Sequence, residues 1–466
     1  MAAHLLAALP SVHEVLRHPE FQAASPHLAD PYRARLVQSV IQRHRDELRS
    51  GTSSSTPESI HLDVLRSCIG EARAIASPFP RRVINGTGVL VHTNFGRAPL
   101  GELLSRIDAR ALAGYTDLEW DPGSGQRGNR DVALGRALCL LTGAEAALVV
   151  NNCASALLLG LNTLAAGKEV LVSRSELVEI GGSFRVPEIM QASGCVLREV
   201  GTTNRTRLDD FARAARAGES VLLKVHQSNF VQRGFVQQVP VQEMVGLGGA
   251  LGIPVIEDNG SGLMSADGVA VLDPEPRVAA SLDAGVDVVC CSADKLFGSI
   301  QTGIILGRAE MIAKMRQSPL YRVLRLDKLR LAVLDAALKL HLAGAGDDLP
   351  LWRLFHTDQA ELDARIGGLR LPGPQTRWAS CRRVPLRATL GGGSNPEATF
   401  ASAGLELVHR DLSADALKRR LSTRDVPIVG YVRQDRLYLD VRTFFPDDFP
   451  QLQRALDELS GEGAAE

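Results

Sequence analysis

One lysine in this sequence stands where a charge is costly. Residues 286–291 form an apolar run that reads as a buried strand, and Ser292-Ala293-Asp294-Lys295 follow it directly, ahead of Leu296-Phe297-Gly298-Ser299-Ile300-Gln301-Thr302-Gly303. An amine just past the end of a buried strand is open to desolvation, which lowers its pKa and frees it as a nucleophile or base. That chemistry suits a Schiff base with an aldehyde cofactor. A surface lysine in a strand-to-loop turn is the plainer alternative.

The elements that must position Lys295 are legible around it. Apolar segments at 146–150, 169–173, 196–200, 220–225, 254–258, 286–291 and 303–307 alternate with helical patterns. This predicts an α/β domain on a mostly parallel sheet with helices on both faces. Ligands of such sheets bind beyond the carboxyl ends of the strands. Four strand ends carry polar groups there: Asn151-Asn152-Cys153 opening a helix, His226, Asp258, and Ser292 with Lys295. Pyridoxal phosphate requires a lysine, an acid at its pyridine nitrogen, a phosphate cup and a flat group over its ring. Lys295, Asp258, the backbone N–H groups of the helix start and His226 match these in type. A helix cap at Asp258 and a satisfied core histidine at 226 are the alternatives.

Arg97 follows a glycine in a loop without an evident acidic partner. Arg322 and Arg325 are three apart, so they share one face of a helix. Three guanidiniums brought together would hold an anion with bidentate reach; solvated helix charge is the other reading.

The chain has 466 residues, which predicts two or three domains. The expected division is a helical segment 1–76, a large α/β domain 77–345 and a small α/β domain 346–466. The small domain reads as helix 351–367, strands 382–387 and 404–408, helix 414–422 and a hairpin 428–432/436–441, after a long helical stretch within 308–345. A net charge of −1 provides no global field for nucleic acid, so any RNA contact must be local. Seven cysteines without C-x-x-C spacing read as reduced thiols of a cytoplasmic protein, with no metal site. No apolar stretch has membrane-spanning length, and the start lacks a signal pattern.

Residues 1–50 keep two helical rhythms, Leu5-Leu6-Leu9-Val12-Val15-Leu16 and Leu36-Val37-Val40-Ile41-Leu48, across a linker at 18–31. A Ser-rich hinge at 50–57 precedes a third helix, 60–76. The first 50 residues hold six arginines against five acids, a weak basic bias. This segment packs on a partner subunit or contacts nucleic acid.

Long stretches carry a resemblance: Arg82-Val83-Ile84-Asn85-Gly86-Thr87-Gly88, His92-Thr93-Asn94-Phe95-Gly96-Arg97, the run from Ser173 to Pro187, Glu199-Val200-Gly201-Thr202-Thr203-Asn204-Arg205-Thr206, Lys224-Val225-His226-Gln227-Ser228-Asn229 and Ser292-Ala293-Asp294-Lys295-Leu296. In these the chain resembles the bacterial selenocysteine synthases, the L-seryl-tRNA(Sec) selenium transferases, over nearly its whole length. The resemblance implies a fold-type-I pyridoxal phosphate architecture and a decameric ring built as a pentamer of dimers. It also implies an N-terminal domain that grips the selenocysteine tRNA. Lys295 matches the cofactor lysine, Asp294 an acid used in catalysis, and Arg97, Arg322 and Arg325 the arginines proposed to hold the selenophosphate anion. The chain departs from the family at Ala293, Phe297, Ser299 and Ile300, at Asn259, and at Cys153, where asparagine or alanine is usual. A β-eliminase or ammonia-lyase acting on a small amino acid or amino sugar phosphate, and a non-catalytic tRNA-binding protein on the same fold, are the rival expectations.

Overall fold

The computed structural model describes residues 2–50, 56–180, 184–264, 269–395 and 397–461. The chain divides into two compact units, Met1–Arg82 and Val83–Glu466.

The first unit is helical: Ala2–Ala7, Val12–Arg17, Pro19–Ala24, Asp30–Ser50 and Pro57–Ala76. Its core gathers Val15, Phe21, Val37, Val40, Ile41, Val64, Cys68 and Ala72. The stretch expected as a linker contains a helix, because Pro19 occupies the first turn, where a missing N–H costs nothing, and Phe21 is fully buried. Most of the expected hinge, 51–55, lies outside the described residues.

The second unit is built on a seven-stranded sheet. Its strands are β1 (Ala146–Val150), β2 (Glu169–Ser173), β3 (Val196–Val200), β4 (Ser220–Val225), β5 (Val255–Gly260), β6 (Val288–Ser292) and β7 (Gly303–Gly307). The order is β1-β7-β6-β5-β4-β2-β3, and β7 alone runs antiparallel to its neighbours. Helices cover both faces. Leu171, Leu222, Val255 and Val289 face one core, and Val172, Leu223, Ile256 and Cys290 the other. Burial on both sides is why these strands read as unbroken apolar runs.

A five-stranded sheet takes Tyr431–Arg433, Arg436–Asp440, Thr399–His409, Trp378–Gly391 and Val89–Val91, in that order. Val89–Val91 lies parallel to the long strand Trp378–Gly391, so chain from the start of the unit completes the C-terminal sheet. The expected helix 351–367 is two helices, Pro350–His356 and Gln359–Gly367, because Asp358 caps a fresh start by accepting from the Glu361 N–H at 2.7 Å. The expected first hairpin strand, 428–432, breaks at Gly430. Ile428–Val429 pairs instead with Ile84–Asn85, and Gly430 lies against the Tyr438 carbonyl with no room for a side chain. The stretch 308–345 is three helices, Ala309–Gln317, Pro319–Leu324 and Lys328–Leu342. No described helix is long and apolar enough to cross a membrane.

Candidate active site

β6 ends at Ser292, itself 3 % exposed, and the chain turns at once. The turn is pinned by Ala293 N–H to the Thr302 carbonyl (2.9 Å), Ser299 N–H to the Ala293 carbonyl (2.8 Å) and Leu296 N–H to the Ser261 carbonyl (3.0 Å). Ala293 keeps an ordinary negative φ, so the lost glycine costs no backbone strain. Phe297 is fully buried; its ring lies 4.5 Å from that of His341, whose Nε2 is 2.9 Å from the Phe297 carbonyl. Lys295, held by this turn, is 4 % exposed, and its Nζ makes no hydrogen bond or ion pair with a described residue.

Asp258 lies on β5, in register with Val225 of β4 and Cys290 of β6. The pairing of β5 with β6 slips between Asp258 and Gly260, which opens the strand end. A Cβ at Gly260 would sit 3.7 Å from Asp258 Oδ1 and 4.0 Å from Lys295 Nζ, so acid and amine flank one small space. Cys153 Sγ donates to Asp258 Oδ1 at 3.3 Å. Burial pushes the Asp258 carboxyl up, while the thiol's hydrogen bond and the charges of Lys295 and His226 pull it down. Burial likewise drives the Cys153 thiol well up, with the Asp258 charge adding to it. This cysteine is a neutral donor.

The helix Cys153–Ala165 starts at the end of β1. Asn152 caps it, its Oδ1 accepting from Ser155 N–H at 2.8 Å. The N–H groups of Cys153 and Ala154 are left without partners among the described residues. Asn151 is held from two sides, its N–H donating to the Leu324 carbonyl at 3.1 Å and its Oδ1 accepting from Arg330 at 3.3 Å. His226 N–H donates to the Asp258 carbonyl at 3.0 Å, and its ring Nε2 stands 3.3 Å from Glu275 Oε2.

The three arginines do not form one cluster of free cations. Arg97, in a left-handed conformation (φ 63°), pairs with Asp294 at 2.7 Å, an acid adjacent in space but 197 residues away in sequence. The expectation of a partnerless Arg97 is therefore corrected. Arg322 and Arg325 do not share a helical face: the helix stops at Leu324 and Arg325 is its extended cap (φ −62°, ψ 144°). Arg325 Nη1 pairs with Glu119 at 2.9 Å, while Arg322 is exposed and makes no ion pair with a described residue. Glu119 also binds Arg127 at 2.7 Å and Arg130, and these guanidiniums, Arg130 foremost, hold its carboxyl down at about 2. The glycine-rich segment 121–128 is a tight hairpin, with Asp121 accepting from Gly123 N–H at 3.0 Å and Ser124 Oγ at 2.7 Å.

Glu119, Glu275 and Gly393 were not singled out from sequence. Gly393 (φ 87°) lies so close to Lys295 that a Cβ would fall 2.5 Å from Nζ. The run Gly391-Gly392-Gly393 was the available signal. Glu119 and Glu275 had none, since their partners are set only by the fold.

A buried partnerless amine, a buried carboxyl, two free N–H groups at a helix start and glycines that keep the amine's surroundings clear are together a fit for pyridoxal phosphate. Fold and site define a pyridoxal-phosphate-dependent enzyme of fold type I. A solved structure of D-glucosaminate-6-phosphate ammonia-lyase superposes with a TM-score of 0.57 over 82 % of this chain and 96 % of that one; at 18 % identity the likeness is one of fold. The L-seryl-tRNA selenium transferase family model matches residues 83–445. The L-seryl-tRNA(Sec) selenium transferase of Aquifex aeolicus is 38 % identical over 458 residues, covering 98 % of this chain and 99 % of the relative. That of Geobacter metallireducens is 41 % identical over 466 residues, with the same two coverages. The chain belongs to the L-seryl-tRNA selenium transferase family.

Proposed function

We propose that this protein converts L-seryl-tRNA(Sec) to L-selenocysteinyl-tRNA(Sec), replacing the serine hydroxyl with selenium from selenophosphate. The observation that carries the reading is the buried, partnerless Lys295 beside buried Asp258 in a chain that matches its relatives from end to end. Pyridoxal phosphate, when bound, supplies an electron sink that makes the Cα–H bond of the seryl group acidic. Lys295 would hold it covalently, and its Nζ is the base that would take the Cα proton of the seryl group. Asp258 holds the proton on the ring nitrogen. The N–H groups of Cys153 and Ala154 receive the phosphate, with Asn151 and Asn152 fixing that turn, and Ser292 and His226 border the same space. The proton taken from Cα would pass from Lys295 by way of the Asp294 carboxylate to the departing hydroxyl, which leaves as water. Arg97, Arg322 and Arg325 hold the incoming selenium anion.

Residues 1–76 serve as the tRNA-binding domain, 77–345 as the cofactor domain and 346–466 as the small domain. The assembly is a decamer, a pentamer of dimers, working in the cytoplasm. Family membership across the full length, the N-terminal helices included, disfavours a small-molecule eliminase or ammonia-lyase. Turnover is the test: the protein should convert serine-charged selenocysteine tRNA and leave ordinary seryl-tRNA alone. Removal of residues 1–76 should abolish that conversion. Full activity of the truncated chain on a free amino acid would overturn the reading.

A further inference from the structure

Cys153 holds two places in the lysine site. Its N–H is one of the two free donors at the start of the helix that follows β1, and its side chain reaches Asp258. The proposed reaction uses the first contact and leaves the second without a role.

The Cys153 Sγ lies 3.3 Å from Asp258 Oδ1. Among the described residues no other donor, from backbone or side chain, reaches either oxygen of this buried carboxyl, so Oδ2 is left free. The thiol is the donor of the pair, because burial drives its pKa well up and keeps its proton in place. A hydrogen bond to the ionised form of a buried acid favours that form. At Asp258 the thiol's bond is the largest influence working against burial, ahead of the charges of Lys295 and His226.

A carboxyl that faces a pyridine nitrogen shares one proton with it, and the more basic partner keeps that proton. A donor on the carboxyl lowers its hold and leaves the proton on the nitrogen. The protonated ring is the better electron sink. We infer that the Cys153 thiol is a positioning residue for Asp258: it occupies Oδ1, presents Oδ2 to the ring nitrogen of pyridoxal phosphate, and keeps the shared proton on the ring. The inference rests on Asp258 being the acid at that nitrogen and extends that reading by one residue.

The test reads the nitrogen chemical shift of the ring in full-length protein saturated with isotopically labelled pyridoxal phosphate, since a protonated and a neutral pyridine nitrogen are well separated. The parent should show the protonated position. Cys153→Ala keeps the backbone N–H but removes the thiol. The ratio of protonated to neutral nitrogen should then fall about tenfold, the effect of losing one modest hydrogen bond to a charged group. Cys153→Ser restores a donor on the same Cβ and should return the shift toward the parent's. Conversion of seryl-tRNA(Sec) should drop in the alanine variant and recover in the serine variant. A shift unmoved by Cys153→Ala, or moved equally in both variants, would overturn the inference, because lost packing would then explain any loss of turnover. Asp258→Asn tells the two failures apart. If it moves the shift and Cys153→Ala does not, only the role of the thiol falls. If neither moves it, Asp258 does not face the ring nitrogen, and the reading beneath falls as well.

Discussion

Arg97 Nη1 lies 2.7 Å from Asp294 Oδ2, and Ala98 N–H donates to the Asp294 carbonyl at 3.1 Å. The loop after Val89–Val91 thus clamps the residue before Lys295 from both its side chain and its backbone. The pair is unequally buried, with the arginine side chain 27 % exposed and the aspartate 6 %. In the proposed reaction Arg97 holds the selenium anion, so Asp294 competes with that anion for the guanidinium. Asp294→Asn removes the competing charge. Inorganic phosphate, as a stand-in for the anion, should bind about tenfold more tightly, equivalent to ~1.4 kcal/mol. Turnover should fall by about two orders of magnitude, the usual loss on removing a proton-transferring group. Weaker phosphate binding would make Asp294 a prop for Arg97 rather than its competitor.

Asp258 is a buried acid whose carboxyl is pushed above its ordinary value by desolvation. Its proton therefore favours the folded state. The stability this gives is full below the unfolded value of 3.8 and is lost as pH rises through the higher folded value. As pH rises above that unfolded value, the cofactor-free protein bears a growing cost for keeping this carboxyl buried. Asp258→Asn removes that cost and can still accept from Cys153 Sγ. The variant without cofactor should melt about 2 °C higher than the parent at pH 8, a gain typical of ~1 kcal/mol or less. The gap should close toward pH 4, and pyridoxal phosphate should no longer be held with its normal visible absorbance. A melting difference independent of pH would show that the charge is not its source.

The central sheet was readable because its inner strands are buried on both faces, and an unbroken apolar run such as Val288 to Cys291 has no competing pattern. Lys295 and Asp258 were readable for the same reason: a strand end is a fixed address in this architecture. The pairing of Arg97 with Asp294 was not, since 197 residues separate them and nothing local marks the contact. The face shared by Arg322 and Arg325 was misjudged because spacing alone assumes a helix that in fact ends between them, at Leu324. The break at Gly430 follows from crowding against Tyr438, a constraint imposed by the neighbouring strand and invisible in local sequence.

Glu119 joins three guanidiniums, those of Arg127, Arg130 and Arg325, and its carboxyl is held at about 2 chiefly by Arg130. A depressed carboxylate contributes stability above its unfolded value of 4.5 that is lost as pH falls toward about 2. Its side chain is 25 % exposed, so solvent screening keeps the contribution small, about 1 kcal/mol. Glu119→Gln should lower the urea midpoint at pH 7 and at pH 5 by similar amounts and by less at pH 3. The same change loosens Arg325, so in the proposed reaction the KM for selenophosphate should rise several-fold with kcat nearly kept. A variant that loses kcat at unchanged KM would place Glu119 in the chemistry instead.

Gly393 sets the space around the amine. Its φ of 87° favours glycine, and a Cβ there would fall 2.5 Å from Lys295 Nζ and 2.6 Å from Cε. Gly393→Ala therefore carries a backbone cost of about 1 kcal/mol and a steric conflict with the lysine itself. The lysine must yield, because Gly393 belongs to a loop whose neighbour Gly391 also has no room to shift a side chain into, a Cβ there falling 2.5 Å from the Val91 carbonyl. The expected result is a folded protein that melts within a few degrees of the parent. It should take up pyridoxal phosphate slowly, show weakened visible absorbance and resist borohydride trapping at Lys295. Conversion of seryl-tRNA(Sec) should fall at least about a hundredfold, as expected when a reacting group is displaced by 1 Å. Gly392→Ala is the control: its Cβ would meet only Thr93 Oγ1, at 3.1 Å, so its absorbance should stay close to normal. Equal losses in the two variants would trace the defect to a disturbed loop rather than to the contact with Lys295.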